Sequence, residues 1–163
     1  MREQIILMGM DILQPAVALM IWTMIIWAWM YATRIPAMQK ANIDAQKLVG
    51  STGAALDQTL PPEVQWKAHN YNHLHEAPTV FYAVAIVLAI LGQGDGMNAL
   101  LGWIYTGLRV AHSLVQVTAN RVMVRFVLFL LSSIVLIALI FSAASTVFGA
   151  GTELQGDNLL QIS

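Results

Sequence analysis

The sequence predicts an all-α fold in which four transmembrane helices form one bundle. Three observations predict it. Hydrophobic residues make up 58% of the 163-residue chain and charged residues only 10%, against about 25% charged in an ordinary soluble domain. Several runs lack Asp, Glu, Lys and Arg over the span of about 20 apolar residues that a bilayer crossing needs. Short polar segments rich in Gly, Pro and Asn separate those runs. A single domain over residues 1–163 follows from the length.

The first span is expected at about residues 10–33, because Ile12 to Thr33 carries no charge and is dense in Ile, Met, Leu and Trp. A signal peptide is disfavoured: the start is not basic, Asp11 interrupts the approach, and the apolar run is too long. Residues 34–61 form the one long polar stretch, with Pro36, Gly50, Gly53 and Pro61. This is expected to be a membrane-surface loop with a short amphipathic piece around Met38–Val49. Helix two is expected over 62–91, starting after the Pro61–Pro62 pair. Its first half is polar and its second half apolar. Gly92–Gly96 makes a tight turn, helix three covers 98–118, Asn120–Arg121 turns the chain, and helix four covers 122–149. The tail Thr152–Ser163 is expected to be poorly ordered.

Lys and Arg in short loops set the orientation. Arg34, Lys40, Lys47, Lys67, Arg121 and Arg125 fall at one end, while the Gly92–Gly96 turn and the C-terminal tail carry none. Only Arg2 opposes. Both termini are therefore expected to face away from the cytoplasm, in an integral multi-pass protein of a bacterial cytoplasmic membrane.

A formal net charge of −1 excludes the large basic face that nucleic acid requires, so no nucleic-acid partner is expected. The absence of cysteine excludes disulfides, thiolate metal ligands and a cysteine nucleophile. Any reactive thiol must come from a ligand.

The chemistry-bearing residues fall on two helical faces. His69, Asn72, His73 and Glu76 recur at helical spacing on helix two, and Arg109, His112 and Gln116 do so on helix three. Glu76 is roughly 20 Å, and Arg109 roughly 15 Å, from the outer end of its helix at about 1.5 Å per residue. Similar depth and the cost of an unpaired charge in the bilayer predict a Glu76–Arg109 ion pair within each subunit. His69, His73, Glu76 and His112 are also ligand types that zinc or iron could use, but a polar pocket of hydrogen-bonding histidines needs the same residues, and no metal is expected. The glycines at 92–96 lack the following Lys-Ser/Thr of a phosphate loop.

The segment Asn70-Tyr-Asn-His-Leu-His-Glu-Ala-Pro-Thr-Val-Phe-Tyr82 resembles the helix-two signature of the MAPEG family, membrane-associated proteins in eicosanoid and glutathione metabolism. Arg109-Val-Ala-His-Ser-Leu-Val-Gln116, followed by Asn120-Arg121 and Arg125, resembles its helix three and the start of helix four. The wording is similar to the prostaglandin E synthase and glutathione transferase branches, and in helix two to a bacterial branch. The resemblance extends from about Ile12 to Gly149.

It implies a homotrimer with glutathione bound between neighbouring subunits at the cytoplasmic side. It also implies a glutathione-binding set of Arg34, Asn72, His73, Glu76, His112, Gln116 and Arg125, with Arg125 as the catalytic group that stabilises the thiolate. The chain departs from the pattern at three points: His73 stands at a family asparagine, Asn72 at a frequent arginine, and Gln116 at the helix-three tyrosine. The expected function is a glutathione-dependent transferase or peroxidase acting on hydrophobic electrophiles or lipid hydroperoxides drawn from the surrounding membrane lipids. The alternative is a non-catalytic lipid-binding scaffold or a subunit of a membrane complex. The lost tyrosine favours the alternative, and the retained Arg34 and Arg125 favour the enzyme.

Overall fold

A computed structural model describes residues 9–44, 50 and 52–160, with residues 150–160 described as backbone only. Five α-helices and one 3₁₀ turn follow in order among them: α1 (Leu13–Lys40), the 3₁₀ turn Gly53–Gln58, α2 (Pro62–His73), α3 (Ala77–Ile90), α4 (Gly96–Thr118) and α5 (Val122–Leu160). No strand occurs among the described residues.

α1 is apolar all round, so polarity does not tell its inner face from its outer one. Packing does. Ile12, Ala16, Leu19, Thr23, Ile26 and Met30 recur at three- and four-residue steps and are buried, whereas Met20, Ile21, Met24, Ile25 and Trp27 are exposed. That stripe is the spacing of a helix packed along its length. The exposed apolar side is what a lipid-facing helix presents. The core is completed by Phe81, Val84, Ala85 and Leu88 of α3, Tyr105 of α4, and Leu136 and Leu139 of α5. Phe81 and Tyr105 stack with ring centroids 4.4 Å apart, a separation at which aromatic pairs add to simple burial.

α4 is the hub, packing against α1, α2 and α5. Gly102 lets α1 come close: a Cβ there would lie 3.0 Å from Pro15. Thr106 Oγ1 also donates to the Pro15 carbonyl at 3.0 Å. Three stretches are long and apolar enough to cross a membrane: Leu13–Lys40, Pro62–Ile90 and Val122–Gly149. α4, expected as a span, is not among them despite its 23 residues, because its buried face carries Arg109, His112, Ser113 and Gln116.

Several boundaries differ from the sequence expectation. α1 continues through Pro36 to Lys40, so the loop begins later than Arg34; the proline forgoes one backbone hydrogen bond without ending the helix. The expected amphipathic piece at Met38–Val49 is the last turn of α1 at its start, and residues 45–49 lie outside the described residues, as do Arg2 and residues 161–163. The tail from Thr152 continues α5 as helical backbone to Leu160. Gly149 and Gly151 weaken a helix but do not force its end. The largest difference is in helix two, which is broken.

Candidate functional site: two cavities beside a broken helix

Pro78 breaks the helix. It has no N–H to donate, and its ring clashes with the carbonyl four residues earlier. α2 therefore stops at His73, and α3 restarts at Ala77 with Pro78 in its first turn. Leu74, His75 and Glu76 form a tight turn, with His75 N bonded to Asn72 O at 2.9 Å and Glu76 N to His73 O at 3.3 Å. Glu76 is the middle residue of the 29-residue stretch Pro62–Ile90, so the break lies at the depth where polar groups are most costly.

The expected Glu76–Arg109 ion pair is not formed within the chain. The turn carries Glu76 away from α4, and its side chain is 66% exposed and bonded to His73 Nδ1 at 2.7 Å. Arg109 is 2% exposed. Its Nε donates to the Tyr105 hydroxyl at 3.1 Å, and its guanidinium lies 5.5 Å from the Tyr105 ring centre and 5.3 Å from that of Phe129. Ring faces attract a desolvated cation and replace the carboxylate in part. Arg109 Nη2 has no hydrogen-bond partner among the described residues.

Two cavities flank the end of α2. The first, about 260 Å³, is lined by His73, His112, Val122, Arg125, Phe126 and Phe129. The His73 and His112 rings are 5.0 Å apart, and His73 is 5.8 Å from Phe129. Asn120 positions Arg125. It turns the chain with φ +47, a conformation asparagine tolerates better than most residues, and its Oδ1 accepts from Arg125 Nη1 at 2.6 Å. Arg125 Nε is buried without a partner among the described residues.

The second cavity, about 420 Å³, lies between α1, the 3₁₀ turn and α2; Arg34, Asp57, His69 and Asn72 are among its lining residues. Arg34 Nη2 donates to Gly53 O at 2.8 Å and to Gln65 Oε1 at 3.3 Å. Its Nε has no hydrogen-bond partner among the described residues. His69 Nε2 is 2.9 Å from Asp57 Oδ2.

The residues expected to form one site are thus divided. Arg34 and Asn72 line the larger cavity, His73, His112 and Arg125 the smaller. Glu76 is at the surface holding His73, and Gln116 is buried one turn beyond His112 with its Oε1 unpartnered. The four metal-ligand types do not converge: His69 turns to Asp57 and His73 to Glu76. No cluster of three such groups occurs among the described residues.

Sequence reading missed Asn120, Phe129 and Asp57. The Asn120–Arg121 turn signal could have found the first; nothing local marks the other two. It also missed a buried junction. Ser113 Oγ accepts from Trp22 Nε1 at 2.9 Å and from Asn70 Nδ2 at 2.6 Å, tying α1, α2 and α4 together.

Comparison with known proteins gives one result. The model of the MAPEG family matches residues 12–145, which takes in α1 to α4, the first part of α5 and both cavities. No curated protein and no solved structure matches the chain. The chain belongs to the MAPEG family.

Proposed function

We propose that this MAPEG-family chain is a glutathione-dependent transferase or peroxidase, acting as a homotrimer on hydrophobic electrophiles or lipid hydroperoxides that reach it through the bilayer. The observation that carries the reading is the set of buried guanidinium nitrogens without acceptors: Arg34 Nε, Arg109 Nη2 and Arg125 Nε. A buried donor left unsatisfied costs about 1–3 kcal/mol, and more when charged. Arg34 and Arg125 line the two cavities, and such donors fit an anionic ligand; glutathione has two carboxylates and an ionisable thiol.

In this reading Arg34 holds a glutathione carboxylate by charge-assisted hydrogen bonds. His112, Gln116 and Asn72 contribute polar contacts. Arg125, preset by Asn120, favours the thiolate over the thiol. Bound glutathione supplies the nucleophilic sulfur, which the chain lacks. Val122, Phe126 and Phe129 offer the apolar side of the same cavity to a hydrophobic substrate.

The trimer is supported by the divided site and by the exposure of Asn72 and Glu76 halfway along a span. A neighbouring copy would cover those groups and set its Arg34 cavity against the Arg125 cavity. The same bundle, with α4 as the fourth span, would place the Arg34, Lys67 and Arg121 end in the cytoplasm. The N-terminal segment is bonded to the Gly94–Asp95 turn, so both would lie on the far side. A cysteine introduced at Asp95 that is labelled only from the cytoplasmic side would overturn this orientation.

Ultraviolet difference absorbance tests the function. The detergent-solubilised protein should give a thiolate band with glutathione at neutral pH, and Arg125→Ala should lose the band while remaining folded. If the intact protein gives neither a band nor a thermal shift with millimolar glutathione, the enzyme reading fails. The lipid-binding scaffold then stands; glutamine at position 116 in place of a phenol is the observation in its favour.

A further inference from the structure

We infer that His73, held by Glu76, is the proton acceptor that takes the thiol proton of the incoming glutathione. The inference rests on the glutathione reading above and adds a base to it.

The geometry is that of an oriented imidazole. Glu76 Oε2 is 2.7 Å from His73 Nδ1, so the carboxylate accepts the Nδ1–H and fixes the tautomer. Nε2 then carries the free lone pair, and no described residue bonds to it. The ring belongs to the wall of the 260 Å³ cavity that also contains Arg125. A carboxylate on one nitrogen and an open cavity for the other is how a general base is held. His73 and Glu76 stand three residues apart, a spacing at which helical side chains are neighbours, and the pairing is kept across the turn at Leu74–Glu76.

The other titratable and charged groups decide which histidine serves. His112 of α4 lines the same cavity but has no carboxylate partner among the described residues. Arg109 of α4 and Arg125 of α5 are cations on the same side, and they oppose a second positive charge. Of the two cavity histidines, His73 is the one with an adjacent anion among the described residues to offset the charge that a proton brings. The two groups also divide the work: Arg125 stabilises the sulfur anion, and His73 keeps the proton within the site.

The step balances. His73 Nε2 accepts the S–H proton, leaving a thiolate beside Arg125 and an imidazolium bonded to Glu76. The sulfur lone pair then forms the C–S bond to the electrophile. In an addition the displaced electron pair goes to the adjacent carbon, which takes the proton back from Nε2; in a substitution it leaves on the departing group, such as chloride, and Nε2 then gives its proton to water.

Proton counting separates a base from a structural histidine. Glutathione is added to the detergent-solubilised protein in weakly buffered solution at about pH 8, where a free imidazole is neutral. Thiolate is read by ultraviolet absorbance and released protons by an indicator dye. The intact protein should form thiolate with almost no proton reaching the dye. His73→Asn should release about one proton for each thiolate that still forms, because no base in the site retains it. Glu76→Gln should lie between the two. His73→Asn should also lower kcat/KM with a dinitrochlorobenzene electrophile on the order of 100-fold, the lower range for a lost general base. If the intact protein forms thiolate and releases a full proton to the dye, His73 is not the acceptor, although the glutathione reading survives. If the intact protein forms no thiolate, both fall together.

Discussion

The turn at Gly92–Gly96 and the break at Leu74–Glu76 interrupt the same helical path, one at its end and one at its middle. At the turn the polar groups are well satisfied. Asp95 accepts from Gly9 N at 2.7 Å and Asp11 N at 3.3 Å, Gly94 O accepts from Ile12 N at 2.9 Å, and Gln93 O accepts from Asn98 Nδ2 at 2.7 Å. Around the break they are not. Arg34, Arg109, Arg125, Asn70 and Gln116 each leave a buried polar atom without a partner. Native proteins rarely leave such groups unpaired. The contrast teaches that the turn closes its hydrogen bonds within one chain, and that the region beside the break leaves buried donors and acceptors open, which is where the proposed ligand would bind.

Mutations at the two places should therefore separate stability from ligand binding. The largest effect is expected at Gly94, where a Cβ would lie 1.9 Å from the Gly9 carbonyl oxygen. Gly94→Ala should cost about 3 kcal/mol or more, since backbone must move. Gly92→Ala, at φ +67 with nothing near the new methyl, should cost only the left-handed penalty of about 1–2 kcal/mol. Equal losses at the two positions, measured by denaturation in detergent, would show that the close approach of Gly9 to Gly94 does not matter to the turn.

This turn also marks what the sequence could tell. The glycines and Asp95 announce a turn locally, and the apolar runs announce spans through composition alone. Pro78 was in plain view too, but a proline inside an apolar run can either kink a membrane helix or end it, and only tertiary packing selects. The predicted ion pair failed for that reason. Matching depths for Glu76 and Arg109 assumed a continuous helix, and at the break Glu76 is exposed and paired with His73 rather than with Arg109. Arg125 was legible as a residue one turn into a helix. Its support by Asn120 depended on a left-handed residue that pattern alone does not fix, and Phe129 is one apolar residue among many.

The buried junction gives the next effect. Ser113→Ala would strand the Trp22 and Asn70 donors, at about 2–4 kcal/mol for the two together, and should loosen the break side while leaving the turn intact. Hydrogen exchange confined to α1, α2 and α4 would agree; exchange rising equally at Gly92–Gly96 would not. Asp95→Asn should cost about 1 kcal/mol, because it weakens two hydrogen bonds to a charged acceptor, and should leave the thiolate band unchanged. A reduced band would mean that the turn and the site are not independent. The smallest effect is a coupling. Glu76→Gln and Arg109→Gln should be additive in stability to within about 0.5 kcal/mol, as for residues that share no contact. A larger coupling would restore the direct ion pair that the structure lacks.

The central claim is that the unpaired groups beside the break are completed by a ligand held between two copies of the chain. Mixed trimers test it directly. Arg34→Ala and Arg125→Ala subunits, each expected to be silent alone, are co-assembled in equal amounts, and the glutathione thiolate band is measured. If Arg34 and Arg125 of one site come from neighbouring subunits, random mixing in a cyclic trimer leaves about a quarter of the sites with both residues, and the band should return to about that fraction of the intact protein's. If both residues of a site come from the same subunit, no mixture contains an intact site, and a band that stays absent would contradict the account.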